Sequence, residues 1–140
     1  MLFNYTDREL DLLARIMRAE ALGEGNLGML MVGNVVENRV LADCLTFRDV
    51  DSIYDVIYQP NQFTGASSSL FNASATTLEK QLAQRIVRGE YYHPATNALW
   101  FYSPTKGASC KQTWYNQVLA GSYKSHCFYN PDPGVCTKIH

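Results

Sequence analysis

The spacing of apolar residues divides the chain into a helical stretch followed by short strands. Leu10, Leu13, Ala14, Met17 and Ala21 recur at helical intervals and predict an amphipathic helix from Asp7 to about Leu22. Thr6 and Glu9 stand ahead of it in capping-box spacing, and Gly23 and Gly25 close it on either side of Glu24. A second helix, roughly 27–41, is apolar nearly all round through Met29, Leu30, Met31, Val32, Val35, Val36 and Val40, so it is expected to be central and buried. A short third helix from about Ser52 to Tyr58 ends before Pro60. A fourth from about Thr76 to Arg88 carries Leu78, Leu82, Ala83 and Ile86 and stops at Gly89. Gly65 to Ser69 reads as a loop. Beyond Pro94, segments 98–102 and 126–129 read as strands and 113–115 as a third. The expected fold class is α+β: one domain over 1–140, helices first and a small antiparallel sheet near the C-terminus.

Composition then removes several functions. Twelve Lys plus Arg against thirteen Asp plus Glu leaves a net charge of −1, which offers no basic surface for nucleic acid or a polybasic membrane contact. No apolar run approaches the ~20 residues of a membrane span. Asp7, Arg8, Glu9 and Asp11 interrupt the N-terminal apolar residues, so a signal-peptide core is not expected there. Nine Tyr and two Trp exceed what a small core needs, and rings of this kind often line grooves for sugar-like ligands.

Four cysteines, Cys44, Cys110, Cys127 and Cys136, allow three disulfide pairings. Without a secretion signal, reduced thiols are the starting expectation and one or two disulfides the alternative. A zinc site from Cys110, Cys127 and Cys136 with His140 or His126 is a further option, although no C-x-x-C pair supports it.

Glu20 stands out on geometry alone. With Leu13 at zero on the helical wheel, Met17 falls at about +40° and Glu20 at about −20°. Its carboxyl therefore leaves from the middle of the apolar stripe. Burial there raises a carboxyl pKa, which suits a general acid near neutral pH. The competing reading ties Glu20 to backbone or to Arg15 or Arg18 at the helix end. Glu24, four residues on, is a second-carboxylate candidate for glycoside hydrolysis, or a loop carboxylate that accepts backbone amides. Glu37 in the buried second helix is expected to form an ion pair, with Arg39 close in sequence.

The loop from Ile57 to Thr64 places amides among aromatics, a composition suited to sugar hydroxyls and N-acetyl groups. Gln59 and Phe63 are its candidate ligands. Trp100, Tyr102, Trp114, Tyr115 and Tyr129 could form either the core of the sheet or the floor of a groove, since alternate strand residues face opposite sides. Tyr102, Trp114 and Tyr129 join Gln59 and Phe63 as candidate substrate-binding residues. His126 is expected to be structural. No glycine-rich phosphate loop and no local nucleophile motif appears.

In combination these stretches resemble the cell-wall hydrolases of bacterial spore germination, the SleB/CwlJ family. The likeness runs through Ala14-Arg15, the segment Arg18 to Gly25, Gly33-Asn34-Val35, Asn38-Arg39-Val40, Ile57-Tyr58-Gln59-Pro60 with Phe63, and Leu99 to Tyr102. Segments 28–35, 112–117 and 124–129 resemble the CwlJ branch. The resemblance implies a lysozyme-like fold and degradation of spore cortex peptidoglycan during germination. It aligns the family's catalytic glutamate with Glu20, as acid and then base in a lytic transglycosylase reaction after N-acetylmuramic acid, with no metal or other cofactor. It also implies a place in the spore coat and cortex region, a coat protein as retention partner and calcium–dipicolinate as the activating signal. Coat assembly can involve cross-linking, which brings oxidised cysteines level with reduced ones. A zinc-dependent amidase and a non-catalytic coat or glycan-binding module are the alternatives from other classes.

Overall fold

A computed structural model describes residues 3–60 and 62–136; Asn61 of the amide-rich loop and His140 of the zinc option lie outside the described residues. The Thr6 hydroxyl accepts the Glu9 amide while the Glu9 carboxylate accepts the Thr6 amide, each at 3.1 Å. That reciprocal cap starts helix α1, Asp7–Ala21. One 3-10 turn, Leu22–Glu24, leads into α2, Gly25–Leu41. Every residue of α2 from Gly28 to Val40 is buried, as its all-round apolar pattern requires. Helix α3 spans Ile53–Ile57, a short α4 spans Ser69–Asn72, and α5 spans Thr77–Val87 behind a second capping box from Thr76 and Glu79.

Helix α1 packs against the other four helices. Leu13, Ile16 and Met17 meet Val32 and Val36 of α2, Ile53 of α3, and Leu82 and Ile86 of α5 in the main core. The crossing of α2 and α5 depends on Gly33, because a Cβ there would lie 2.7 Å from Ile86 Cγ1. Buried Arg18 fastens α4 and α5 to α1. Its guanidinium donates to Glu79 Oε1 at 2.8 Å and to the carbonyls of Leu70, Ala73 and Ser74. Arg15 pairs with Asp11 at 2.8 Å. Both arginines are therefore engaged away from Glu20.

The sheet consists of β1 (Trp100–Tyr102), β2 (Thr113–Trp114), β3 (Gln117–Tyr123) and β4 (His126–Asn130), in the order β1-β4-β3-β2 with every pair antiparallel. Strand β4 is buried almost throughout, and Phe128 packs with Met31 and Val35 of α2 in a second core. Strand β3 is absent from the sequence reading. Its Ala120-Gly121-Ser122 stretch has little strand propensity, and the register shifts between Leu119 and Gly121. The short helix α4 and the 3-10 turn Thr64–Ser67 replace the expected loop.

Two disulfides pin the C-terminal half. Cys110–Cys127 ties the segment before β2 to β4, and Cys44–Cys136 closes a separation of 92 residues. In the chain-entropy model a closure of that length is worth about 4–5 kcal/mol. Of the two states the sequence left level, the structure has the oxidised one. It also removes the zinc option, since all three of its cysteines are bonded to sulfur. No helix among the described residues is long and apolar enough to cross a membrane.

Candidate active site

Glu20 sits in the last turn of α1, where the apolar stripe of the helix runs out beside a cavity of about 300 Å3. Burial raises its pKa above the ordinary carboxylate value, against two smaller opposing effects: a hydrogen bond from the Gly65 amide and the positive charge of Arg39. The Gly65 N–H donates to Glu20 Oε2 at 3.1 Å. A Cβ at position 65 would lie 2.1 Å from that oxygen and 3.2 Å from the Ala19 side chain. Glycine at 65 thus lets the 3-10 turn reach the carboxylate closely enough to hold it. The wheel geometry and the cavity agree on Glu20.

Arg39 enters the same cavity from the last turn of α2. Its guanidinium carbon lies 4.9 Å from the Phe47 ring centre and 4.8 Å from that of Phe63, and its Nε donates to the Leu99 carbonyl at 2.8 Å. Burial pulls its pKa down to about 9, with Glu20 acting to raise it, so the group stays cationic at neutral pH. Among the described residues, Nη1 is buried without a hydrogen-bond partner. His126, the first residue of β4, completes the wall. Its ring lies 5.0 Å from that of Phe101, and burial lowers its pKa, which keeps it neutral at pH 7. Tyr102, Ser103 and Gln62 form the rest of the rim.

Gln62 also borders a second cavity of about 250 Å3, walled by Trp100, Trp114, Tyr115 and Gln117. Tyr115 and Asn116 form the two-residue turn between β2 and β3, both with positive φ. Tyr115 is 81 % exposed, a large ring held out at the tip of a hairpin. Positive φ at both central residues is what a two-residue hairpin turn of this kind requires.

The candidate ligands divide into rim and support. Tyr102 and Trp114 line the cavities, with ring centres 4.8 Å apart. Tyr129 and Phe63 do not reach the open space as sugar platforms. Tyr129 is fully buried, stacks beneath Tyr102 and donates to the Lys111 carbonyl at 2.8 Å. Phe63 is buried against Arg39 and Phe101. Gln59 lines neither cavity, and its amide donates to the Thr46 carbonyl at 2.7 Å, so Gln62 takes the place expected of it.

Glu24 lies behind His126, with Oε1 3.8 Å from His126 Nδ1, and does not line the Glu20 cavity. Its carboxylate accepts the Ser125 amide at 2.9 Å and the Ser125 hydroxyl, and its carbonyl accepts Lys124 Nζ at 3.0 Å. It locks the α1–α2 junction to the β3–β4 turn. Glu37 lacks the expected ion pair among the described residues. Asn34 and Tyr91 flank its carboxyl, and burial raises its pKa to about 8.

Arg39, Gln62 and Gly65 were not singled out as site residues by sequence reasoning, and His126 was read as structural or as a zinc ligand. Arg39 could have been noticed as a charge in an otherwise apolar buried helix, and Gln62 shares the amide-rich loop with Gln59. Gly65, inside a low-complexity patch, carries no local signal.

A family model described as Cell Wall Hydrolase matches residues 23–129. The chain belongs to the cell wall hydrolase family. A relative from Halalkalibacterium halodurans named Cell wall hydrolase CwlJ is 47 % identical over 136 residues, spanning 96 % of this chain and 94 % of the relative. A Bacillus cereus protein named Spore cortex-lytic enzyme is 26 % identical over 110 residues, spanning 79 % of this chain and 40 % of that protein. Among solved structures, the catalytic domain of the Bacillus cereus SleB protein superposes with a TM-score of 0.71 at 24 % identity, covering 91 % of this chain and 93 % of that one. The catalytic domain of the germination-specific lytic transglycosylase SleB from Bacillus anthracis gives 0.68 at 24 % identity, covering 91 % and 98 %. This cell wall hydrolase therefore has the fold of the SleB catalytic domains, which is the lysozyme-like α+β plan. The match to the family model begins three residues after Glu20. The case for Glu20 accordingly rests on its geometry.

Proposed function

We propose that this cell wall hydrolase degrades spore cortex peptidoglycan during germination, as one catalytic domain acting in the coat and cortex region. It cleaves the glycan after N-acetylmuramic acid by a lytic transglycosylase reaction. The observation that carries this reading is a lone carboxyl in the cavity. Among the described residues, Glu20 is the only carboxylate on its wall, and burial holds its pKa up. Two-carboxylate glycosidases place a partner about 5–10 Å away. Glu24, the natural second candidate, is spent on Ser125.

One carboxyl can do both halves of the reaction. Protonated Glu20 gives its proton to the glycosidic oxygen as the bond to C1 breaks. The resulting carboxylate then takes the proton of the C6 hydroxyl as that oxygen bonds to C1. The product is a 1,6-anhydro end, the leaving sugar carries the first proton, and Glu20 returns to its protonated state. Arg39 favours the carboxylate while burial favours the acid, so the group is poised between the two forms. The Gly65 amide holds the carboxylate in place through the cycle. Trp114 and Tyr115 offer faces for sugar rings, and Gln62 and Gln117 offer amides for N-acetyl groups.

The relatives' names, Cell wall hydrolase CwlJ and Spore cortex-lytic enzyme, support the substrate. The word transglycosylase in the name of the Bacillus anthracis structure supports the reaction type. Mass spectrometry of fragments released from cortex is the test. Anhydro-muramic ends are expected. Reducing muramic ends would replace the transglycosylase step with hydrolysis, and freed peptides without glycan cleavage would overturn the glycosidic reading in favour of an amidase.

A further inference from the structure

The two cavities above are the first parts of a longer trough. Residues 100–108 pass through three openings in chain order. Trp100 walls the aromatic cavity, Phe101 to Ser103 wall the Glu20 cavity, and Pro104 to Ala108 wall a third opening of about 300 Å3. Gln62 is shared by the first two, and the adjacent pair Ser125 and His126 joins the third to the second. The far ends differ in chemistry. One offers Trp100, Trp114 and Tyr115. The other offers Lys106 and Lys124, with no carboxylate on its wall among the described residues.

Neither lysine is paired with an acid among the described residues. Lys124 is held in place: it follows Tyr123 at the β3–β4 turn, its Nζ lies 5.5 Å from the Tyr123 ring centre, and it donates to the Glu24 carbonyl at 3.0 Å. The nearby Glu24 carboxylate accepts the Ser125 amide and hydroxyl and keeps its negative charge, so two cations stand against one anion at this opening. The turn carrying Lys106 is closed by the Ala108 amide donating to the Thr105 carbonyl at 2.8 Å. Two cations therefore line one opening, which adjoins the Glu20 cavity through Ser103–Pro104 and Ser125–His126, while the aromatic rings line the opening that shares Gln62 with that cavity.

We propose that this third cavity binds carboxylates carried by the substrate strand, so that the trough takes sugar faces at one end and negative charge at the other. The proposal rests on the reading of the site as glycan-cleaving and adds how the strand is oriented through it. Two sources carry the chemistry: carboxylates of peptide stems, and the lactyl carboxylate of a bare muramic acid. A strand bearing either gains by threading with its charge at Lys106 and Lys124, and that fixes which bond lies over Glu20.

The test uses the full chain with Glu20→Gln, so that bound strands stay intact. Dissociation constants are measured by calorimetry for three ligands: peptide-bearing glycan strands, strands stripped of peptide, and N-acetylglucosamine oligomers that carry no carboxylate. Adding Lys106→Glu should weaken the charged strands by roughly three- to tenfold and leave the uncharged oligomer unchanged. Lys106→Arg should retain the parent affinities. A loss confined to peptide-bearing strands assigns the site to stem carboxylates, and a loss shared by stripped strands assigns it to the lactyl group. Equal affinities for all ligands in parent and Lys106→Glu proteins would overturn the proposal, as would an equal loss for the uncharged oligomer. Lysis retained by Glu20→Gln would instead sink the catalytic reading and leave these ratios standing, so the two failures are separable.

Discussion

The end of α1 holds a half-buried glutamate and the middle of α2 a fully buried one, in opposite surroundings. Glu20 and Glu37 are both raised in pKa chiefly by loss of water. Glu20 opens onto a cavity, has a backbone amide aimed at it and faces a cation. Glu37 is 1 % exposed and is enclosed by its own helix and Tyr91. A raised pKa therefore does not mark a catalytic group by itself. Access to substrate, and a neighbour that stabilises the ionised form, separate a working acid from a trapped one.

The largest effect expected from this contrast is at Glu20. Glu20→Gln keeps shape and hydrogen bonding but has no proton to give, so cortex lysis should fall by ~10²–10⁴-fold or more with little change in melting temperature. Turbidity loss of permeabilised, decoated spores with a parallel melt reads both quantities. Next comes Gly65→Ala. Its methyl needs the space of Glu20 Oε2, and a flexible carboxylate yields more easily than backbone. Activity should drop by ~10–10²-fold while the melt shifts little, because a misplacement of about 1 Å is costly to catalysis. An unchanged rate would show that the Gly65 contact is dispensable.

Glu24→Gln should affect rate by less than tenfold and act mainly on stability, by ~1 kcal/mol, through its bonds to Ser125. A loss comparable to that of Glu20→Gln would make Glu24 a second catalytic carboxylate. The smallest effect on rate belongs to Glu37→Gln, which should leave lysis unchanged. Its signature is in stability. The folded-state pKa is raised from 4.5 to about 8, so the stabilisation from the bound proton is complete below pH 4.5 and is lost as pH rises through 8. The glutamine variant should equal the parent near pH 4 and exceed it by roughly 4 kcal/mol at pH 8. Parallel denaturation curves at both pH values, with equal offsets, would contradict that reading.

The helical half was far more legible in the chain than the site it supports. The capping box at Thr6 placed the start of α1, and apolar spacing with Gly89 placed α5 to within a residue or two, since signal and structure are both local. The wheel found Glu20 because a charge on an apolar stripe violates a local rule. The partners of Glu20 are not local. Gly65 lies 45 residues away, and Arg39 reaches the cavity only because α2 packs behind α1. Aromatic content pointed to Tyr129 and Phe63, but composition does not reveal which ring of a stack faces water. The fully buried Tyr129 beneath the rim residue Tyr102 shows the difference. The pairing of Cys44 with Cys136 likewise spans most of the fold. Strand β3 was hidden by its Ala-Gly-Ser centre, where the bulge, rather than an alternating pattern, sets the register.

The central claim is that one carboxyl, its pKa raised by burial at the cavity, starts the cleavage. Its most direct test is the pH dependence of kcat/KM on soluble glycan strands. Burial raises the Glu20 pKa above 4.5, so activity should persist to a pH above that value and then fall about tenfold per pH unit as the proton is lost. A profile that rises with pH across the same range, with no descending limb, would mean that the active form of the enzyme is the Glu20 carboxylate, and would contradict its role as the acid.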